Sequence, residues 1–391
     1  MREGSESIDA QLRRAVEDKA ILGVVALASD RDGVLYRGAF GLADAVSARP
    51  MMQDALFRIA SMTKAITSVA ALQLVEAGAL GLDDPAERHL PALAGLHVFE
   101  SFDNATGDYR VRPAAKPITV RHLLTHSSGL GYAFTSAVLR DFKPRVGEQY
   151  AAGPLLFEPG ERWLYGTSTD WLGRLIEAVS GESLDDYFRH RILDPLAMSD
   201  TFYAVPGHKQ ARLVATHRRH QDGTIVKDAN QPPPVFSPPM GGGGLSSTAD
   251  DYIRFLRMLL NGGALDGARI LSADAVALMS RNHIGGLSVP ALRSALPERS
   301  ADFAFVADGR DKWGLGFLIT ADHVHGKRSA GSLSWGGIYN TYFWVDLTAG
   351  IAGVMLMQFL PFADREALAV YDAFERGVYR LVDSAGGEKK L

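Results

Sequence analysis

Residues 65 to 75 constrain this chain more than any other stretch. Ala65, Ile66, Val69, Ala70, Ala71, Leu72, Leu74 and Val75 leave a helix here with almost no polar face. A helix that is apolar nearly all round has to be buried, and its first turn goes inside with it. That first turn grows out of Ser61-Met62-Thr63-Lys64. Ser61 and Lys64 are three apart, so on a helix they share a face, roughly one turn from each other. A lysine taken out of water needs a reason, because an unpaired charge is costly there. Alone, the pair reads as an ordinary helix start, with Ser61 as N-cap and Lys64 solvated. The chemical reading is different. A serine hydroxyl becomes a nucleophile when a base takes its proton, and a lysine held from water or beside another cation can be that base.

The rest of the chain bounds the answer. Its 391 residues, 47% of them hydrophobic, suffice for two domains, or for one large domain with an insertion, around a substantial core. The net charge of -4 is small and Arg and Lys are scattered, so nothing marks a nucleic-acid face. There is no cysteine, which excludes disulfides, thiolate catalysis and cysteine-bound metals. The polar start Met1-Arg2-Glu3-Gly4-Ser5-Glu6 carries no apolar leader, and no apolar run approaches the ~18 residues of a membrane span. The expectation is a soluble, cytoplasmic protein. Oligomeric state is not legible, and a homo-oligomer stays open.

Taken in order, residues 7 to 20 place Ile8, Leu12, Ala15 and Val16 at helical spacing, with Ser7 as N-cap. Two β-rich runs, Gly23 to Ser29 and Val34 to Phe40, flank the turn Asp30-Arg31-Asp32-Gly33. A third, Ala55 to Ala60, runs into the helix Met62 to Glu76, which Gly78 closes. From Asp83 to about residue 240 strand patterns nearly vanish. Helices are expected at Val120–Thr125 (capped by Thr119), at about Asp170–Val179 (closed by Gly181), and after Ser183, while 205–239 reads as loop. Gly241-Gly242-Gly243-Gly244 marks a junction or a site wall. Thr248 opens a helix to about Leu260, and another follows Ser272. Residues 285–311 read as irregular. Strands return at Trp313–Thr320, Arg328–Ser334, Thr341–Asp346 and Ile351–Gln358, before a last helix at about Arg365–Val382. The two strand-rich ends, 1–82 and 240–391, are expected to share one antiparallel sheet flanked by helices. Residues 83–239 form a mostly helical insertion, with the site between the two parts.

Two distant features give Lys64 its reason. Tyr165 follows the turn Glu158-Pro159-Gly160 and precedes a helix; the bland reading is a ring packed on the core. Ser334-Trp335-Gly336-Gly337-Ile338 ends a strand; the bland reading is a bulge or bend. The functional reading is that the glycines let a substrate lie along the strand, where a backbone N–H binds a developing oxyanion.

Taken together, these motifs resemble the serine β-lactamase and penicillin-binding-protein superfamily, and most of all the family VIII carboxylesterases with a class C β-lactamase-like fold. Further support comes from the run Leu56 to Lys64, His122-Leu123-Leu124-Thr125-His126-Ser127-Ser128-Gly129-Leu130, Phe157 to Gly160, Trp313-Gly314-Leu315-Gly316-Phe317, and Ser334 to Asp346. The resemblance spans nearly the whole chain. It implies an α/β (α+β) fold, Ser61 as acylated nucleophile, Lys64 as its base, and Tyr165 as proton relay to the leaving group. It also implies an oxyanion hole from the backbone N–H groups of Ser61 and Ile338.

Two departures shape the expected substrate. Thr167 stands where the second motif usually has Asn or Ser, so the reach of an amide is lost. Trp335 stands where lactamases and transpeptidases have a cationic Lys that holds a carboxylate. An indole favours an apolar acyl or alcohol group instead. Lys327 and Arg328 lie nearby and are expected to be exposed. Substrate contact falls to Trp335, Gly336, Gly337 and Thr167.

Rival motifs fail. No Gly-x-Ser-x-Gly elbow is present. His122 and His126 have a zinc-like spacing but Leu123 replaces the glutamate, so a structural role is expected. Asp83-Asp84 and Asp250-Asp251 read as helix-start charges. The expected activity is hydrolysis of short-chain carboxylic esters, a small-molecule substrate, without cofactor or metal. Weak cephalosporin hydrolysis is a side activity that the resemblance suggests. A β-lactamase or D-amino peptidase-type amidase, an acyltransferase, and a non-catalytic ligand sensor on the same fold stay open.

Overall fold

Strand Gly23–Ser29 is buried at every position, which suits a strand inside a sheet covered on both faces. In the computed structural model, which describes residues 3–233, 235–303 and 309–388, it lies well inside an eight-stranded sheet. The strands are β1 (Gly23–Ser29), β2 (Val34–Asp44), β3 (Arg49–Pro50), β4 (Lys312–Trp313), β5 (Leu318–Ile319), β6 (Leu333–Gly337), β7 (Thr341–Asp346) and β8 (Ile351–Leu356). Their order is β4-β5-β6-β7-β8-β1-β2-β3, with every neighbouring pair antiparallel. The sheet is therefore built from residues 23–50 and 312–356, as the strand-rich ends suggest.

The helices that frame it are α1 (Glu3–Glu17), α2 (Thr63–Glu76), α3 (Ser168–Ser180), α4 (Ala249–Leu260) and α5 (Arg365–Glu388). Side chains of β7 alternate between the two faces. Tyr342 and Trp344 meet Tyr371 and Phe374 of α5, whereas Phe343 meets Tyr252 of α4. Tyr36 of β2 packs on Phe374 and donates to Asp9 of α1, so α1 and α5 cover one face together. On the other side the Tyr252 hydroxyl donates to Met62 O at 3.0 Å, which ties α4 to the start of α2. As its composition requires, α2 is buried almost throughout, with α3 packed against it.

Several helix ends are set as the local sequence dictates. Thr119 and His122 form a reciprocal cap on Val120–Thr125, Gly181 closes α3 at φ +72°, and Thr248 accepts from Asp251 N at 3.1 Å. Others differ. Helix α1 starts at Glu3, so Ser7 lies inside it and is no cap; its polar first turn carries no apolar period to read. Trp313–Thr320 is not one strand. Gly314 N bonds to Phe317 O, and the backbone N–H groups of Leu315 and Gly316 go to Met279 O and Leu124 O, which splits the run into β4 and β5. The region 83–239 also holds two hairpins, His97–Phe102 with Tyr109–Pro113 and His217–Arg219 with Ile225–Lys227. A register shift between Phe99 and Ser101 breaks the alternation of the first, and the second opens on three polar residues. Within 285–311, residues 304–308 lie outside the described residues.

Arg328 is a further correction. It is buried rather than exposed, with Nε and Nη2 on Glu375 at 2.7 and 2.8 Å and Nη2 also on Tyr371 Oη at 2.9 Å. Lys327 is bound to Asp372 at 2.8 Å and Glu375 at 3.3 Å. A fully buried carboxylate such as Glu375 has to be paired, and it draws the segment before β6 off the expected strand path. Among the described residues no helix is long and apolar enough to cross a membrane.

Asp251, at the start of α4, accepts from Asp200 N at 2.7 Å and Thr201 Oγ1 at 2.9 Å, joining α4 to the segment at 200–201. Burial, only partly offset by these bonds, pushes its carboxyl up to about 6 from 3.8. A raised acid favours the fold when protonated, so its contribution is full below about pH 4 and lost as pH rises through about 6. Thermal melts across that window should fall less steeply with pH for Asp251→Asn than for the unaltered protein. Parallel curves would contradict the assignment.

Candidate active site

The site begins with a kink. Phe57–Arg58 pairs with Ser246–Ser247, and two residues later Ala60 takes φ +45°, a left-handed conformation uncommon for a residue with a Cβ. The chain then makes one tight turn, Ala60–Met62, and enters α2. The Ser61 side chain caps neither element. It is partly exposed, and its hydroxyl lies 3.2 Å from Lys64 Nζ. The helix-start reading of the pair therefore fails on geometry: the serine does no capping and the lysine is 2% exposed.

Lys64 Nζ is surrounded by oxygens. Besides Ser61 Oγ it meets Tyr132 Oη at 3.1 Å and Gly242 O at 2.6 Å. It also lies over the rings of Tyr165 and Tyr132, 4.9 and 5.3 Å from their centroids. These contacts supply what burial of an amine demands. Gly241–Gly244 is thus a wall of the site. Thr67 Oγ1 holds it from below by donating to Gly241 O at 2.6 Å.

Tyr165 is buried, and its hydroxyl accepts from Trp335 Nε1 at 3.3 Å. Trp335 is only 3% exposed, packed against Tyr165, Trp313 and Trp163. The open apolar wall expected of this indole is therefore slight, and its polar edge is directed to Tyr165. Thr167 precedes α3 and its side chain makes no capping bond. His126, at φ +54° in the turn after Val120–Thr125, packs beneath Tyr165. Burial, and then the charge of Lys64, hold it well below the usual histidine range, so it stays neutral. His122 is spent on its cap, and among the described residues no cluster of His, Asp and Glu is gathered as for a metal ion.

Strand β6 reaches the Ser61 turn through Gly337. A Cβ there would collide with the backbone oxygen of Ile59 and with Thr341 Oγ1. Strand β5 pairs with Leu333 and Ser334 of β6, ahead of Trp335, Gly336 and Gly337. The chain at Gly337 and Ile338 is thereby held beside Ala60–Met62. Ser61, Lys64, Tyr165, Trp335 and Gly337 come together, with Ile338 next in line and Thr167 at the start of α3.

Two side chains at the centre carry no sequence motif. The Tyr132 hydroxyl donates to Asp170 Oδ2 at 3.3 Å, and Asp170 Oδ1 accepts from Gly242 N at 2.9 Å. Burial, then the Asp170 charge, raise the Tyr132 phenol well above its ordinary value, so it keeps its proton. The only hint in the sequence is that Tyr132 and Phe134 lie in a loop with no periodic reason for aromatic residues.

The beta-lactamase family model matches residues 8–376. A lovastatin esterase from Penicillium rubens is 32% identical, with 98% of this chain and 100% of that protein covered. A monacolin J acid methylbutanoyltransferase from Aspergillus terreus is 31% identical over 95% of each chain. Among solved structures, a mutant of simvastatin synthase from Aspergillus terreus matches with a TM-score of 0.83 at 29% identity, covering 98% of this chain and 100% of that one.

The approach of β6 to the Ser61 turn can be tested. In Gly337→Ala the new Cβ meets backbone that cannot yield, so β6 must retreat from Ser61. Turnover of an activated ester should fall by about 100-fold, the scale of losing one oxyanion donor, with a far-UV spectrum unchanged. Unchanged turnover would show that this approach is not needed.

Proposed function

The chain belongs to the beta-lactamase family, and on that premise we propose that it is a serine esterase that works through an acyl-enzyme on Ser61. One observation carries the reading: the Lys64 amine, removed from water, lies 3.2 Å from a serine hydroxyl that caps nothing. Lys64 takes the proton as Ser61 Oγ bonds to the ester carbonyl carbon. The carbonyl oxygen becomes an oxyanion, held by the N–H groups of Ser61 and Ile338. When the intermediate collapses the ester C–O bond breaks, and the alcohol leaves with the proton, relayed through Tyr165. Water then repeats the sequence on the acyl-enzyme. Every step is a proton or acyl transfer, so no cofactor or metal takes part.

An ester is favoured over a carboxylate-bearing lactam or peptide by the charges. Trp335 supplies no cation, and Lys327 and Arg328 are committed to Asp372 and Glu375. His126 is neutral. The name of the transferase relative points to a methylbutanoyl group as the acyl part of the substrate. The transferase relative, as similar in extent as the esterase, favours a second reading in which an alcohol replaces water as acyl acceptor.

A panel of p-nitrophenyl acetate, butyrate and 2-methylbutyrate, set against nitrocefin and a D-Ala-D-Ala peptide, tests the class. Ester turnover should exceed the other two by at least about 100-fold and vanish in Ser61→Ala. Near-normal ester turnover in that variant, or a preference for nitrocefin, would refute the reading. Adding a secondary alcohol and weighing the products by mass spectrometry separates hydrolysis from acyl transfer.

A further inference from the structure

We propose that Tyr132 and Asp170 are positioning residues that aim the lone pair of Lys64 at Ser61. The inference rests on the esterase reading above and adds two residues to that site. A neutral amine has two N–H donors and one lone pair, and as a base it works only if the lone pair faces the serine proton. Among the described residues three oxygens surround Lys64 Nζ: Ser61 Oγ, Tyr132 Oη and Gly242 O. The Gly242 carbonyl can only accept. A phenol can donate or accept, but the single proton of Tyr132 is directed to Asp170 Oδ2, and an ionised carboxylate can only accept. Towards Lys64, then, Tyr132 offers lone pairs alone. The two amine N–H groups are taken up by Gly242 O and Tyr132 Oη. The remaining direction faces Ser61 Oγ, the one oxygen of the three with a proton to give.

Asp170 controls both acceptors. Its Oδ2 fixes the proton of Tyr132, and its Oδ1 accepts from the N–H of Gly242, the residue whose carbonyl meets Lys64. Ring packing does not account for this. Tyr132 stacks on Phe134 and sets its edge on Tyr165, contacts that a phenylalanine would make equally well. The hydroxyl is the part that packing leaves unexplained. Once Lys64 has taken the serine proton, its third N–H points back at the reacting oxygens, and neither acceptor has to move.

The test is the rate at which a fluorophosphonate modifies Ser61, resolved into its maximal rate and its half-saturating concentration. Peptide mass spectrometry locates the adduct. In the unaltered protein the adduct must lie on Ser61; if it does not, the esterase reading itself falls, and this inference with it. Given that adduct, Tyr132→Phe should lower the maximal rate about tenfold, the scale of one hydrogen bond, with the half-saturating concentration unchanged. Asp170→Asn should be slower still. The amide keeps its oxygen on Gly242 N and turns its NH2 to the phenol, so the phenol proton swings onto the Lys64 lone pair. Removing the phenol as well should then help: Tyr132→Phe/Asp170→Asn should be faster than Asp170→Asn and match Tyr132→Phe. A purely structural role gives losses that add, or a changed half-saturating concentration, and either result overturns the proposal. Single variants as fast as the unaltered protein also overturn it. If Tyr132→Phe does not fold, Asp170→Asn decides alone, since it leaves the aromatic cluster intact.

Discussion

The structure depends on one buried amine. Lys64 sits on a helix too apolar to leave the core, at 2% exposure, and an unpaired amine there would oppose folding. Its oxygen partners come from different parts of the chain: the turn before α2, the loop at Tyr132, and the glycine run at Gly242. Satisfying one side chain thus fixes how these three segments meet. The same requirement accounts for the close backbone packing around Gly241, held to α2 by Thr67. Cost and chemistry have one origin, since the conditions that make this lysine hard to bury also place it against a serine oxygen.

How far the sequence reaches follows from which interactions are local. Ser61 with Lys64, the caps at Thr119, Ser183 and Thr248, and strand β7 are written in spacing along a single element. Tyr132 and Asp170 are 38 residues apart, and nothing in either neighbourhood hints at the other. Asp170 reads as an ordinary acidic residue in the first turn of α3, which it also is. The glycine run could be a hinge or a wall until Gly242 O is seen on Lys64. Arg328 misleads for the same reason: its partner Glu375 lies 47 positions away on α5, and only that pairing makes an arginine a core residue. The split of Trp313–Thr320 depends on carbonyls of Leu124 and Met279, which no strand propensity registers.

Trp335 shows how a departure from a motif can change electrostatics more than shape. An indole in place of a cation removes a full charge and leaves one N–H donor, which goes to Tyr165 Oη. Beneath it His126 is held neutral, and the neighbouring Lys327 and Arg328 are paired off on the α5 side. Lys64 is then left as the base, with Gly242 O and Tyr132 Oη on one side and Ser61 Oγ on the other. A substrate that brings its own carboxylate finds no counter-charge among these residues, whereas a neutral ester loses nothing.

On the proposed mechanism, hydrolysis and acyl transfer need no different machinery. Lys64 responds to whichever O–H group next occupies the place of the leaving alcohol, since the acceptors on its other side are fixed by Asp170 whatever arrives. Water and a bulky alcohol differ in how they reach the acyl carbon, and that is decided by the walls of the cleft. Substitutions that reshape those walls can change the acceptor so long as Ser61, Lys64, Tyr132 and Gly242 keep their hydrogen bonds.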